Sequence, residues 1–221
     1  MKRILPVFIA VCAWSQSGIE VPSVGMIVDA AGNLRTVQGV AGNFLLGPAM
    51  ASGVLSAACS EQLCLAKTNS KILSATGEVD APPGPAVFGL HGETAVIFFL
   101  ESRAFARWSD NTLQPFDWTV EGEVLSIHLG DDSIEIALRT DWAAETDGAV
   151  LLLPKGVLFA TQEELILRRA GRSELRFELA GAEAITPMGP NYSAIRAGAA
   201  IYALRTEPGH EQLFLLPGSI P

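Results

Sequence analysis

The sequence predicts an all-β fold, a β-propeller of five or six short and partly incomplete blades, with a β-sandwich as the alternative. Three observations point there. Apolar runs of a few residues alternate with turns rich in Gly, Pro and polar residues along almost the whole chain. Such runs read as strands, since a helix needs a longer 3.6-period pattern. No convincing helical period of helix length occurs. The stretch 149–218 is written as two similar copies, and a repeat of roughly 35 residues with four strands each is the signature of a propeller blade.

The copies align through their turns. Pro154-Lys155-Gly156 matches Pro187-Met188-Gly189, 33 positions on. Leu167-Arg168 matches Leu204-Arg205, and Phe177 matches Phe214, each 37 positions on. The string Ala137-Leu138-Arg139-Thr140 recurs as Ala203-Leu204-Arg205-Thr206, which carries the same register back into the preceding unit.

In chain order, residues 1–17 read as a signal peptide. Lys2 and Arg3 precede an apolar run from Ile4 to Trp14, followed by Ser15-Gln16-Ser17-Gly18. That run is too short to span a bilayer, which takes about 20 residues. The alternatives are an N-terminal anchor and lipidation at Cys12, the latter opposed by the bulky Val11 before it. Residues 18–221 are expected to form one propeller-like domain. Gly25–Asp29 and Leu34–Val37 flank Ala30-Ala31-Gly32-Asn33 as a hairpin. This hairpin reads as the last two strands of a blade whose first two are missing. Residues 40–48 read as a connecting loop. Residues 54–80 and 86–118 read as full four-strand units. Residues 124–138 open a third, cut to two strands because 141–148 lacks strand-like alternation. The two copies complete the ring, and the first hairpin is expected to close it beside Leu213-Phe214-Leu215.

Composition narrows the partners. The net charge of −9 becomes −11 once Lys2 and Arg3 are removed. An acidic chain without a basic cluster repels phosphate backbones, so no nucleic acid is expected. No second apolar run has membrane length, so no membrane span is expected either. Cys59 and Cys64 flank a short turn, and an exported chain meets oxidising conditions. They form a candidate disulfide, with two buried thiols as the alternative.

The strings Gly25–Arg35, Val40-Ala41-Gly42, Leu151–Gly156 and Glu164–Arg169 resemble uncharacterised exported bacterial β-propeller-like repeat proteins. The resemblance spans most of residues 18–221 and implies a fold but no activity. The two-strand third unit departs from the pattern.

Chemistry is sparse. His91, His128 and His210 are the three histidines, placed in turns and one strand. Asp131-Asp132, beside Glu135, is the densest acidic pair but lacks a calcium-loop series. Nucleophile-elbow, zinc-protease and phosphate-loop patterns are absent from the sequence. Trp108, Trp118, Trp142, Tyr192 and Tyr202 are either blade fillers or sugar-stacking faces. Catalytic residues stay unknown, and neither cofactor nor metal is expected. The sequence therefore favours an exported, monomeric, non-enzymatic module for binding a protein or carbohydrate ligand or for scaffolding at the cell surface. The alternative is a hydrolase or lyase with its site in the central channel. Histidines or carboxylates converging at a channel mouth would favour the enzyme, and an apolar plug would favour the module.

Overall fold

A computed structural model describes residues 22–146 and 148–218. The signal-peptide reading of residues 1–17 lies outside the described residues. Twenty-one strands and one short helix form six antiparallel sheets, each a meander in sequence order. The first blade holds β1 (Ser23–Val28), β2 (Leu34–Val40) and β3 (Asn43–Ala51). The second holds β4 (Ser56–Cys59), β5 (Cys64–Lys67), β6 (Lys71–Ser74) and β7 (Gly77–Asp80). The third holds β8 (Ala86–His91), β9 (Thr94–Phe99), β10 (Ala104–Ser109) and β11 (Thr112–Phe116). The fourth is only β12 (Val124–Leu129) and β13 (Ile134–Leu138), followed by helix α1 (Arg139–Trp142). The fifth holds β14 (Val150–Leu153), β15 (Gly156–Ala160), β16 (Glu164–Arg169) and β17 (Leu175–Glu178). The sixth holds β18 (Ala182–Gly189), β19 (Tyr192–Ala197), β20 (Ala200–Arg205) and β21 (Gln212–Leu215).

The first strand of each blade faces inward. Around the ring β1 packs on β4, β4 on β8, β8 on β12, β12 on β14, β14 on β18, and β18 back on β1. This is a β-propeller: five blades of three or four strands, plus one two-stranded blade.

Alternation along the strands puts one face of each sheet against the next blade. Leu158, Leu165, Leu167, Ile195 and Leu204 fill the gap between the fifth and sixth blades. Leu65, Ile72, Ile97, Phe99 and Trp108 fill the gap between the second and third. Two serines stitch neighbouring inner strands. Ser56 Oγ accepts from the Ala86 amide at 3.1 Å, and Ser126 Oγ from the Leu152 amide at 3.0 Å. Lys67 is fully buried beside Phe99, its Nζ donating to the carbonyls of Thr68 (2.6 Å) and Asn69 (3.0 Å). Burial pushes its amine below the usual lysine range, against the pull of Glu101.

The two copies in 149–218 are the fifth and sixth blades, but the 33-residue match does not hold: Pro154-Lys155 forms the first turn of its blade, whereas Pro187-Met188-Gly189 ends β18 and the equivalent turn is Pro190-Asn191. The recurrence at 137 and 203 does not hold either. Ala137-Leu138 ends the second strand of its blade, whereas Ala203-Leu204-Arg205 lies in the third strand of its own.

The start of the chain also differs from expectation. Residues 43–51 are not a loop but the third strand of the first blade, bent by register shifts against β2. Gly47-Pro48 in its middle hides the strand in the sequence, but Pro is tolerated on an edge. The first hairpin therefore supplies the inner strands of its blade, and the blade lacks its outermost strand.

Ring closure does bring the first blade to the last strand, but face to face. Phe44 lies 5.5 Å from Phe214 and 5.9 Å from Tyr192. β21 itself pairs with β20. The inner strands approach more closely still. A Cβ on Gly25 (φ +149°) would stand 1.5 Å from the Met188 carbonyl oxygen, and one on Gly189 would stand 2.2 Å from that of Val24.

Candidate functional site

All inner strands run the same way around the channel, so their first turns gather at one end. These first turns are two to five residues long, and function concentrates on such loops. A cavity of about 430 Å³ opens there. It is lined by five blades: Glu61, Lys155 and Asn191 come from the first turns of the second, fifth and sixth, and His91 and His128 from the ends of β8 and β12, with Tyr192 at the start of β19. A second cavity of about 560 Å³ opens at the opposite mouth, beside Glu123, Arg139, Gln162 and Glu183. Phe88, Leu151 and Pro187 line both cavities.

The first mouth is held in place by specific bonds. Ser60 Oγ accepts from the Leu63 amide at 3.0 Å and donates to the Gly92 carbonyl at 3.3 Å, tying the second blade's turn to the third's. Cys59 and Cys64 face each other in register across β4 and β5, with Cα atoms 4.1 Å apart and their sulfurs joined. Cys59 itself lines the cavity. Arg169 reaches the cavity but is committed to the Glu211 carboxylate and the Thr206 carbonyl, which pins the loop after β20. Glu211 is held below the usual carboxylate range: burial opposes this, but its own and Gly209's amides and Arg169 prevail.

The histidines behave unequally. His91 and His128 come together at this mouth, whereas His210 stands outside it near Glu207, 3.9 Å away. His91 Nε2 lies 2.9 Å from Asp131 Oδ1. Burial pushes the His128 imidazole below its usual range; Glu135 opposes that shift and His91 adds to it. His128 is therefore a neutral donor–acceptor at neutral pH. Asp132 and Glu135 are exposed on the β12–β13 hairpin. Among the described residues, no group of three or more His, Cys, Asp or Glu is placed to hold a metal ion.

Of the aromatics, Trp108 is core, Tyr202 packs at the edge of the core between the fifth and sixth blades, and Tyr192 reaches the mouth. Trp118 and Trp142 flank the two-stranded blade: Trp118 lies 5.3 Å from Phe105, and Trp142 lies 5.5 Å from Phe159. The mouth residues missed in the sequence are Glu61, Lys155 and Asn191. Their one shared signal is position, each lying in the first turn of its blade.

Fold and channel together define a small β-propeller with a turn-lined cavity at one mouth. No family model matches the chain, and no curated protein matches it. Similar solved structures include Kluyveromyces lactis Hsv2, at 10% identity and a TM-score of 0.44, over 74% of this chain. The chain spans 63% of the length of that protein. The extracellular domain of BT4673 from B. thetaiotaomicron is similar at 12% identity and a TM-score of 0.41, over 88% of this chain and 33% of the other. The AfRom2 CNH domain is similar at 12% identity and a TM-score of 0.41, over 88% and 84% of the two chains. At these scores nothing about ligand or activity passes from them to this chain. Among the described residues, no helix is long and apolar enough to cross a membrane.

Proposed function

We propose that the chain is an exported, monomeric, non-enzymatic propeller module that binds a protein or carbohydrate ligand at the turn-lined mouth. The carrying observation is convergence: residues of five blades, from turns and strand ends, surround one cavity. A rigid ring of separate turns suits a ligand gripped at several points. Tyr192 offers an apolar face with a polar tip, and the neutral His128 and Asn191 offer hydrogen bonds. Export rests on the pattern of residues 1–17 and on the facing Cys59 and Cys64, which suit an oxidising compartment.

Glycan and peptide arrays probed with the purified protein test the binding reading. Lys155→Glu should abolish array signals without changing the melting temperature, and Tyr192→Ala should abolish them while lowering the melting temperature, since Tyr192 also packs on Phe44. Signals that survive both substitutions would place binding elsewhere. N-terminal sequencing of the secreted protein should begin near residue 18. Thiol titration of the denatured, unreduced protein should find neither Cys59 nor Cys64 free.

A second reading has an observation of its own. His91, held by Asp131, stands at the same mouth as His128, and this convergence suits a hydrolase or lyase. Turnover of any array ligand, lost in His128→Asn while binding is retained, would replace the module by an enzyme.

A further inference from the structure

We propose that the fourth blade accepts its third strand from a partner, an extended peptide of alternating apolar and polar residues that carries a carboxylate and, near its C-terminus, a cation. Among the described residues β13 pairs only with β12, so its outer backbone groups have no strand partner. Both neighbouring blades are four-stranded. At the ~4.8 Å spacing of strands, β13 therefore lies about 10 Å behind the neighbouring edges, at the bottom of a slot two strands deep.

The two walls of the slot differ. On the third-blade side stand Phe105, Phe116 and Trp118, in a cluster that includes Ile134, Ile136 and Leu138 of β13. Arg107 lies over Phe116, 4.3 Å from the ring centre. It is exposed and, among the described residues, has no carboxylate partner. On the fifth-blade side the charges satisfy one another. Arg168 meets Glu145 and Glu174, each at 2.7 Å, and Arg176 meets Glu164 at 2.8 Å. A cavity of about 500 Å³ opens at the head of the slot, between Arg107 and Gln114 on one side and Asp131 and Asp132 on the other.

This arrangement selects the occupant. A strand added to β13 has side chains pointing alternately to the two walls. Apolar residues fit the aromatic wall, and small polar ones fit the ion-paired wall. A carboxylate on the aromatic side meets Arg107, the uncompensated guanidinium. In antiparallel pairing the peptide's C-terminal end lies by Ile134, where a lysine meets Asp132. The recess excludes a second copy of this chain, because two edges each set back by two strands cannot meet before their flanking blades collide. A single extended segment fits.

The probe is an acetylated, amidated peptide of phenylalanine, threonine, isoleucine, threonine, glutamate, threonine and lysine, titrated against the full chain by fluorescence anisotropy. Two further versions carry backbone N-methyl groups at the odd or at the even positions. Strand addition uses the amides of one set only, so one version should bind about tenfold or more weakly and the other nearly as well as the parent. Arg107→Glu should weaken the parent about tenfold, and a peptide with lysine in place of its glutamate should recover binding to that variant. Absence of binding, equal effects of the two N-methylated versions, or indifference to Arg107→Glu would each overturn the proposal. So would sedimentation that shows a dimer dispersed by the peptide, since the slot would then belong to a second copy.

Discussion

The first and fourth blades are both incomplete and lie opposite each other in the ring, yet they are sealed in different ways. The first lacks one outer strand and is sealed by backbone. β1 approaches β18 so closely that Gly25 and Gly189 have no room for a side chain. The fourth lacks two strands and is sealed by side chains, with Trp118 filling toward the third blade and Trp142 toward the fifth. Inner strands touch across every gap of the ring, so their contact is fixed at the level of main-chain atoms. Outer strands add apolar area, of which Trp118 and Trp142 supply a part, while among the described residues the outer edge of β13 has no strand partner.

The sharpest break of this contrast is Gly25→Ala. Its Cβ meets a carbonyl oxygen at 1.5 Å, in a left-handed conformation that side chains avoid. A loss of about 4 kcal/mol or more in urea unfolding is expected. A loss under about 1 kcal/mol would show that the backbone seam is not what closes the ring. Trp142→Ala should cost about 2 kcal/mol in the same assay, below the range for fully buried Trp because the ring is only partly buried against Phe159. An effect as large as that of Gly25→Ala would erase the distinction between the two seals.

The first turns of the same two blades sharpen the contrast. Asp29 accepts hydrogen bonds from the amides of Asn33 (2.8 Å) and Ala31 (3.0 Å) and from Arg35 Nε (2.6 Å). Burial alone would raise this carboxyl, but Arg35 and the amides of Asn33 and Ala31 outweigh it and hold the group at about 2. Its folded value lies below the ordinary 3.8, so its stabilisation is complete above pH 3.8 and is lost as pH falls through about 2. Asp29→Asn should therefore cost roughly 1–2 kcal/mol at neutral pH and less at pH 2. Asp132→Asn, in the exposed turn of the fourth blade, should change stability by less than about 0.5 kcal/mol.

The smallest effect concerns His128. Burial depresses its imidazole, so its share of stability is present above pH 6.5 and lost as the pH falls below it. His128→Asn should flatten the acid side of the melting-temperature profile below pH 6.5. A profile parallel to the parent's would show that the imidazole is not desolvated at the mouth.

The blades were legible wherever strand patterns recur. Leu167 and Leu204, and Phe177 and Phe214, lie in equivalent strands of the fifth and sixth blades, whereas Pro154 is in a turn and Pro187 within β18. The lack of alternation in 141–148 correctly marked the two-stranded blade. Strand β3 was not legible because Gly47-Pro48 interrupts it and an edge strand tolerates what a central one does not. The mouth was not legible because its residues come from turns and strand ends of five blades, spread from Glu61 to Asn191. Each turn alone is a solvated loop, and only the ring brings His91 to His128. The slot beside β13 follows from strands that are missing, which a sequence displays only as a weak segment.

The contact of residues 24–25 with 188–189 has a kinetic consequence. These positions are 163 or more apart along the chain, and the seal between them is the last join of the ring. Blades form from local hairpins within microseconds, but closing so long a loop comes late and slowly. Until the sixth blade is available, the first rests on the second alone, through Leu34, Val54, Ala57 and Ala66. A growing chain can thus pack each blade on the one before it, while the outer face of its first blade waits for the sixth and the ring closes in one late step.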